Sequence, residues 1–401
     1  MSRKMNDLET DDSPAPKAGD LVSNLGNPIL LKNVNMAGVS AEAAQGGQKI
    51  QIWTRMALTS DQDLFQKIIA NIAGAIEHAA NAVGEYPSLS RAQTVFLVLR
   101  PDDTGELWVD KAAMCTYSAL KRPGPMAAGT VLFENDIADI TGLWFPLVEV
   151  GPKDRILCII REGWRFALYF DFNPDGDLVI EEAKRALGTL FRRMRYADLY
   201  ASLAHEPTFK SMVGVGWFPF LELGIAEIRT LLGMIEAEFA LNEAEQNLIS
   251  AFDETRLERM FSRWMERAHL NEREAILRPA INAFKNSEPV TVIKIILSEI
   301  EGVMSDAYYQ VHGERPYRSN KLPDFMIEQA ELRAGGKDTL FFPVEFGKYL
   351  KDYTYADFKK DDVGTAGSRH AVSHGRVAGN EYTMARALQA LLTLDQLAFY
   401  M

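Results

Sequence analysis

The chain has 401 residues, more than one hydrophobic core comfortably serves, so two domains are the default expectation. Its composition, 47% hydrophobic and 24% charged, is that of an ordinary globular protein, and no apolar run approaches the roughly 20 residues a helix needs to cross a bilayer. A net charge of −12 argues against a long basic groove that tracks nucleic acid, although a small cationic cleft stays compatible with it.

The start is polar and acidic, without the basic and apolar segments of an export signal, which points to a cytoplasmic protein with no membrane partner. Residues 1 to about 48 carry Asp-Asp-Ser-Pro-Ala-Pro-Lys (11–17) and one short apolar run, Ile29-Leu30-Leu31. That is too little burial to offset chain entropy, so a disordered arm is expected there.

From residue 50 to about 205 the pattern predicts an α+β domain. A short strand at Ile50–Thr54 precedes Ser60-x-x-Asp63, which reads as the start of a helix with Leu64, Phe65, Ile68, Ile69, Ile72 and Ile76 at helical spacing. Strand patterns follow at Thr94–Leu99, Gly105–Val109 and Gly129–Phe133. The clearest hairpin joins Ile156–Ile160 to Trp164–Phe172 across Arg161-Glu-Gly163. Trp164, Phe166, Leu168, Phe170 and Phe172 share one face opposite Arg165 and Asp171, predicting one core face and one wet face. This helix-then-sheet order resembles small α+β immunity proteins of the YezG type, which implies a fold and no chemistry. A helix is then predicted from about Leu178 to Ala204, with Arg192, Arg193 and Arg195 as a basic patch that is either a solvated face or a phosphate contact.

Residues 215–401 read as helical throughout, at about 220–240, 243–267, 271–285, 289–310, 323–334, 343–350 and 381–400. The fold class expected is therefore α+β, an antiparallel-sheet domain followed by an all-α domain. The last helix carries Ala385, Leu388, Leu391, Leu392, Leu394 and Leu397, apolar enough for core or for a dimer surface.

Most chemistry-bearing patterns fail on inspection. Gly214-Val-Gly216 lacks the third glycine of a nucleotide loop, Cys115 and Cys158 lack metal-ligand spacing and read as buried thiols, and no nucleophile elbow or P-loop occurs. His370-x-x-x-His374 has the spacing of a helical zinc pair without a zincin glutamate or a third ligand, so no metal and no cofactor are expected. His78, His205, His269 and His312 occur singly and read as structural.

Ser368-Arg369-His370-Ala371-Val372-Ser373-His374-Gly375 gathers an arginine and two of the six histidines within six residues. Arginine offers a planar donor fork for phosphate, and histidine exchanges protons near neutral pH. Arg369-His370-x-x-x-His374 resembles the signature of the HEPN superfamily, an arginine, a polar residue, three further residues and a histidine in a helical domain. The closer likeness is to bacterial proteins that pair an Asn-Arg-His-x-(Val/Ile)-x-His-Gly element with an upstream helix ending Ile-Glu-Gly. Ile300-Glu301-Gly302 matches the latter, and Ser368 stands where the asparagine is usual. A similar spacing, Arg263 to His269, lacks the polar residue and the glycine and reads as ordinary helix surface.

The resemblance implies a metal-independent endoribonuclease of toxin or phage-defence type. His374 would act as base or acid and Arg369 would hold the phosphoryl oxygens while the 2′-hydroxyl attacks, giving a 2′,3′-cyclic phosphate. His370 would orient His374 or share its proton, and Arg376, with Arg192, Arg193 and Arg195, would contact RNA phosphates. The family also implies a homodimer with facing motifs, and a toxin adds a regulatory or antitoxin protein as partner. The competing readings are a non-catalytic dimerisation or nucleotide-binding module and an interaction protein whose histidines are structural.

Overall fold

The chain, described by a computed structural model over residues 26–40, 44–121, 126–127, 129–173, 175–316, 321–357 and 364–401, divides into two units. The first comprises the residues before Tyr117 together with Gly142–Met194, and the second comprises Tyr117–Thr141 and Arg195–Met401. An antiparallel sheet followed by a helical half is the α+β layout expected from the sequence.

β-branched and aromatic runs form the sheet of the first unit. Its strands in chain order include β1 (Ile29–Leu31), β2 (Val39–Ser40), β3 (Ile52–Trp53) and β4 (Arg55–Thr59), followed by helix α1 (Asp63–Asn81). Then come β5 (Thr94–Leu99), β6 (Gly105–Val109), β7 (Cys115–Leu120) and β8 (Ile137–Trp144), these last two lying mostly in the second unit, and then β9 (Arg155–Glu162), β10 (Arg165–Asp171) and helix α2 (Ile180–Arg195). The main sheet is ordered β1-β6-β5-β9-β10-β4 with every pair antiparallel, while β2 pairs with β3 and β7 with β8. β9 and β10 form the expected hairpin, with Gly163 at φ +58 in the turn, a left-handed conformation that glycine adopts without steric cost.

Register places Val95, Leu97, Leu157, Ile159, Leu168 and Phe170 on one face, where they meet Phe65, Ile68, Ile72 and Ile76 of α1. Truncating Phe170, which is 0% exposed, is expected to cost about 3–5 kcal/mol in urea denaturation. A loss under about 1 kcal/mol would mean that the cavity closes with little penalty.

Four expectations about this unit are corrected. Ile29–Leu31 is not part of a disordered arm but the edge strand paired with β6, because Leu31 finds a core to enter; residues 1–25 and 41–43 lie outside the described residues. The second face of β10 is not wet: Ala167 and Tyr169 are buried, and α2 brings Ala183 and Leu187 over the neighbouring Phe96 and Ile156. Trp164 is 91% exposed in the turn instead of sharing the core face. Ser60 does not cap α1, since its hydroxyl accepts the Phe166 N–H at 3.0 Å. Gly188 of α2 lies so close to the Gly142 backbone that a Cβ on the helix has no room there.

In the second unit the predicted strand at Gly129–Phe133 does not form, and Val131, Leu132 and Phe133 are exposed. The strand is β8, which sequence patterning passed over because Asp139 interrupts it. Asp139 is nevertheless 1% exposed, its carboxylate accepting the Thr339 hydroxyl at 2.6 Å and the Leu340 N–H at 3.1 Å.

The helices are α3 (Ala197–Ala204), α4 (Glu206–Gly214), α5 (Ile225–Glu236), α6 (Asn242–Ala251), α7 (Glu254–Met265), α8 (Ala268–Asn271), α9 (Glu274–Lys285), α10 (Pro289–His312), α11 (Leu322–Ala334), α12 (Pro343–Tyr349), α13 (Arg369–Ser373) and α14 (Met384–Tyr400). The long helix predicted over 178–204 is thus two, and that over 243–267 is interrupted where Asp253 caps α7 by accepting the Arg256 N–H at 2.8 Å.

The unit is organised on α10 and α14, which pack on each other. Every residue from Ala387 to Tyr400 is buried, so α14 is core and offers no dimer surface. Its polar side chains are satisfied inside: Gln396 accepts the Leu221 N–H at 2.8 Å and donates to the Phe341 carbonyl at 3.2 Å.

Candidate functional site

The Arg369–His374 segment is held from both ends. At its start, the Ser368 hydroxyl donates to the Ala356 carbonyl at 2.8 Å and accepts the Ala371 N–H at 3.3 Å, a helix N-cap. Serine therefore does the capping work at the position where the resembling proteins carry asparagine. Gly367, one residue earlier, packs flat on the Tyr353 ring, where a Cβ has no room. Tyr353 in turn donates to Gln389 of α14 at 2.8 Å and accepts from Arg386 at 2.6 Å, which ties α13 to the core.

At its end, Gly375 takes φ +64, its N–H reaching the Val372 carbonyl at 3.2 Å while the Arg376 N–H reaches the Ala371 carbonyl at 2.9 Å. This paired bonding is a Schellman stop. The glycine after the histidine, read in the sequence as part of a signature, is what ends the helix and makes His374 its C-cap.

Arg369 is half-buried and forms an ion pair with Glu301, which projects from α10. The Ile300-Glu301-Gly302 element lies in the middle of that helix, within the span predicted over 289–310, and not at a helix end. Its glycine gives room to the Arg273 guanidinium, which pairs with Glu299 and Asp306 on the same helix. The Arg369 guanidinium also lies 5.9 Å from the centre of the Tyr355 ring, and the His370 ring meets that ring edge-on at 6.2 Å. Tyr355 is a site residue that the sequence reading missed, because an isolated aromatic carries no motif. Burial, then the Glu301 charge, pushes its phenol well above the ordinary range, and its hydroxyl has no hydrogen-bond partner among the described residues. His374 and Arg376 are exposed, and His370 is half-buried. One short helix therefore presents an anchored arginine, an exposed histidine and a second histidine packed on tyrosine.

The other predicted phosphate contacts lie on α2, Arg192 and Arg193 within the first unit and Arg195 at the start of the second. Arg192 is 2% exposed on the inward side of α2, with its guanidinium 3.4 Å from the Thr189 hydroxyl, which removes it as a surface contact. Arg193 is exposed on the same helix, and Arg195 pairs with Glu134 at 3.2 Å.

A larger surprise is Arg263, expected on a helix surface and found 7% exposed. It donates to Glu222 at 2.6 Å and to both oxygens of Asp395 at 2.9 and 3.0 Å, while Trp264 donates to Asp395 at 2.8 Å. Arg256 also pairs with Glu222, at 3.0 Å. Burial raises the Glu222 carboxyl, but Arg263 and Arg256 outweigh it and hold the group below the usual range, whereas complete burial leaves Asp395 raised.

Lys121, nine-tenths enclosed beside this network, is pushed down to about 8, first by burial and then by Arg263 and Arg256 against the pull of Glu222. A lysine lowered in the folded state is destabilising while charged in both states, and its cost falls as pH rises from about 8 towards the unfolded value near 10.4. Across that window the thermal stability of the native chain, measured against Lys121→Met, is expected to rise. Parallel melting curves for the two proteins would show that the ammonium is not buried in solution.

Compared with known proteins, the chain matches no family model, no curated protein and no solved structure.

Proposed function

We propose that α13 carries one half of a metal-independent ribonuclease site. The observation that supports this reading is the placement of Arg369 and His374 on a single helix capped at both ends, the arginine steadied by Glu301 and the histidine exposed. In this reading Arg369 binds the phosphoryl oxygens, where negative charge grows as the 2′-hydroxyl attacks, and His374 takes or returns a proton. His370, packed on Tyr355, positions the helix and does not transfer the proton. One chain supplies one such set, so two copies meet to serve both sides of the reaction. The domain of the main sheet then recruits or restrains the helical one, as a toxin or defence effector requires.

The Arg369–Glu301 ion pair also favours a second reading, a non-catalytic module in which the arginine is a structural anchor. Incubating the purified protein with single-stranded RNA in EDTA separates the two. Fragments ending in 2′,3′-cyclic phosphate are the expected product, and 2′-deoxy substitution at the cleavage site abolishes them. Mixing His374→Ala with Arg369→Ala protein is expected to restore part of the rate, because one mixed dimer then holds both groups. Cleavage that needs a divalent ion would refute this mechanism.

A further inference from the structure

Within the second unit, a recess between the end of α7, the last turn of α11 and the strand residues of β7 and β8 is lined by Lys121, Arg263, Arg267 and Arg333, with Phe341 and Phe399 as its apolar wall. Arg263 is neutralised by Glu222 and Asp395, although its Nε is buried without a partner.

The remaining cations are not matched. Arg267 and Arg333 meet no side-chain carboxylate at ion-pair distance among the described residues, and Arg333 donates to the backbone oxygen of Met401. The Arg333 guanidinium is lowered from its ordinary value, first by partial cover of its head and then by the Arg267 charge beside it, although the residue as a whole is exposed. Glu266 also lines the recess, yet it is exposed and forms no ion pair with either arginine. Lys121, at the inner wall, donates to the Leu223 carbonyl at 3.5 Å and forms no ion pair among the described residues. Like charges collected around an enclosed, partly apolar recess repel one another unless an anion completes the set.

We propose that this recess is a binding site for a phosphate group, gripped by Arg267 and Arg333 at the rim and by Lys121 within. Three cations approaching from different elements suit a tetrahedral dianion better than a planar monoanionic carboxylate, and guanidinium forks bond such oxygens in pairs. The cavity volume, about 80 Å³, accommodates several waters' worth of ligand, enough for the phosphate and the first atoms of a substituent. Phe341 and Phe399 offer that substituent an apolar surface. The phosphate is then either free or carried on a small monoester.

The test uses the full chain in an Arg369→Ala background, so that phosphate bound at α13 does not register and failure of the ribonuclease reading leaves the result intact. Titration with inorganic phosphate and with phenyl phosphate, at fixed ionic strength near pH 7, is expected to give saturable heat and a rise in melting temperature. Arg267→Gln and Arg333→Gln are each expected to weaken the binding about tenfold or more, as the loss of a charge-assisted bond implies. Tighter binding of phenyl phosphate identifies a monoester site, and equal binding a free-phosphate site. The proposal is overturned if neither probe binds, if acetate binds as well as phosphate, or if both glutamine variants bind like their parent. Arg333 stands exposed at the rim, so its variant tests the site even where Arg267→Gln fails to fold.

Discussion

His374→Ala is expected to lower the single-turnover rate of RNA cleavage by about 10²-fold or more, and Arg369→Ala by a similar factor, since general acid–base catalysis and charge stabilisation are each typically worth that much. The two losses arise differently. His374 is exposed at the helix C-cap, and the Schellman stop rests on the Gly375 and Arg376 N–H groups, so removal of the imidazole leaves that stop in place. Removing Arg369 leaves Glu301 without its counterion, so some stability is lost along with activity. Glu301→Gln discriminates between roles: an arginine that only anchors the helix would lose its function with Glu301, whereas one that binds phosphate keeps most of its rate. His370→Ala, which removes a ring packed on Tyr355, should be milder than His374→Ala. Undiminished cleavage by the His374→Ala protein would remove α13 from consideration.

Asp395→Ala should destabilise the second unit by about 3–5 kcal/mol, the cost of breaking a buried ion pair from one side. The carboxylate accepts from Arg263 and from Trp264 in a position 1% exposed, so alanine leaves the indole N–H and part of the guanidinium unsatisfied where water does not reach. Glu222 still faces Arg263, which keeps the loss from being larger. Asp395→Asn retains an acceptor for Trp264 and should cost less. Chemical denaturation reads both, and an alanine variant within about 1 kcal/mol of the native chain would show that this cluster is solvated.

What was legible in the sequence is what local rules encode. The β9–β10 hairpin follows from alternation around Gly163, whereas the short helix α13, with its caps at Ser368 and Gly375, was not among the expected elements. What was not legible depends on partners far along the chain. Arg263 and Asp395 are separated by 132 positions, and periodicity counts each as a surface residue until the other is in place. Asp139 hides a strand for the same reason, as Thr339 satisfies it from 200 positions away. Leu31 escaped because three apolar residues are too few to signal a strand without the β6 edge that receives them. In the candidate site, the arginine and histidines stood out by chemistry, while Tyr355 and the meaning of Glu301 needed the packing of α10.

The burial of α14 on every side has a consequence for biosynthesis. A ribosome must extrude the chain through residue 400 before the centre of the helical half has its filling, so α10 and the other helices wait with their apolar faces bare during translation. Because α13 rests on α10 and is tied through Tyr353 to Gln389, its groups come into register only after that late segment emerges.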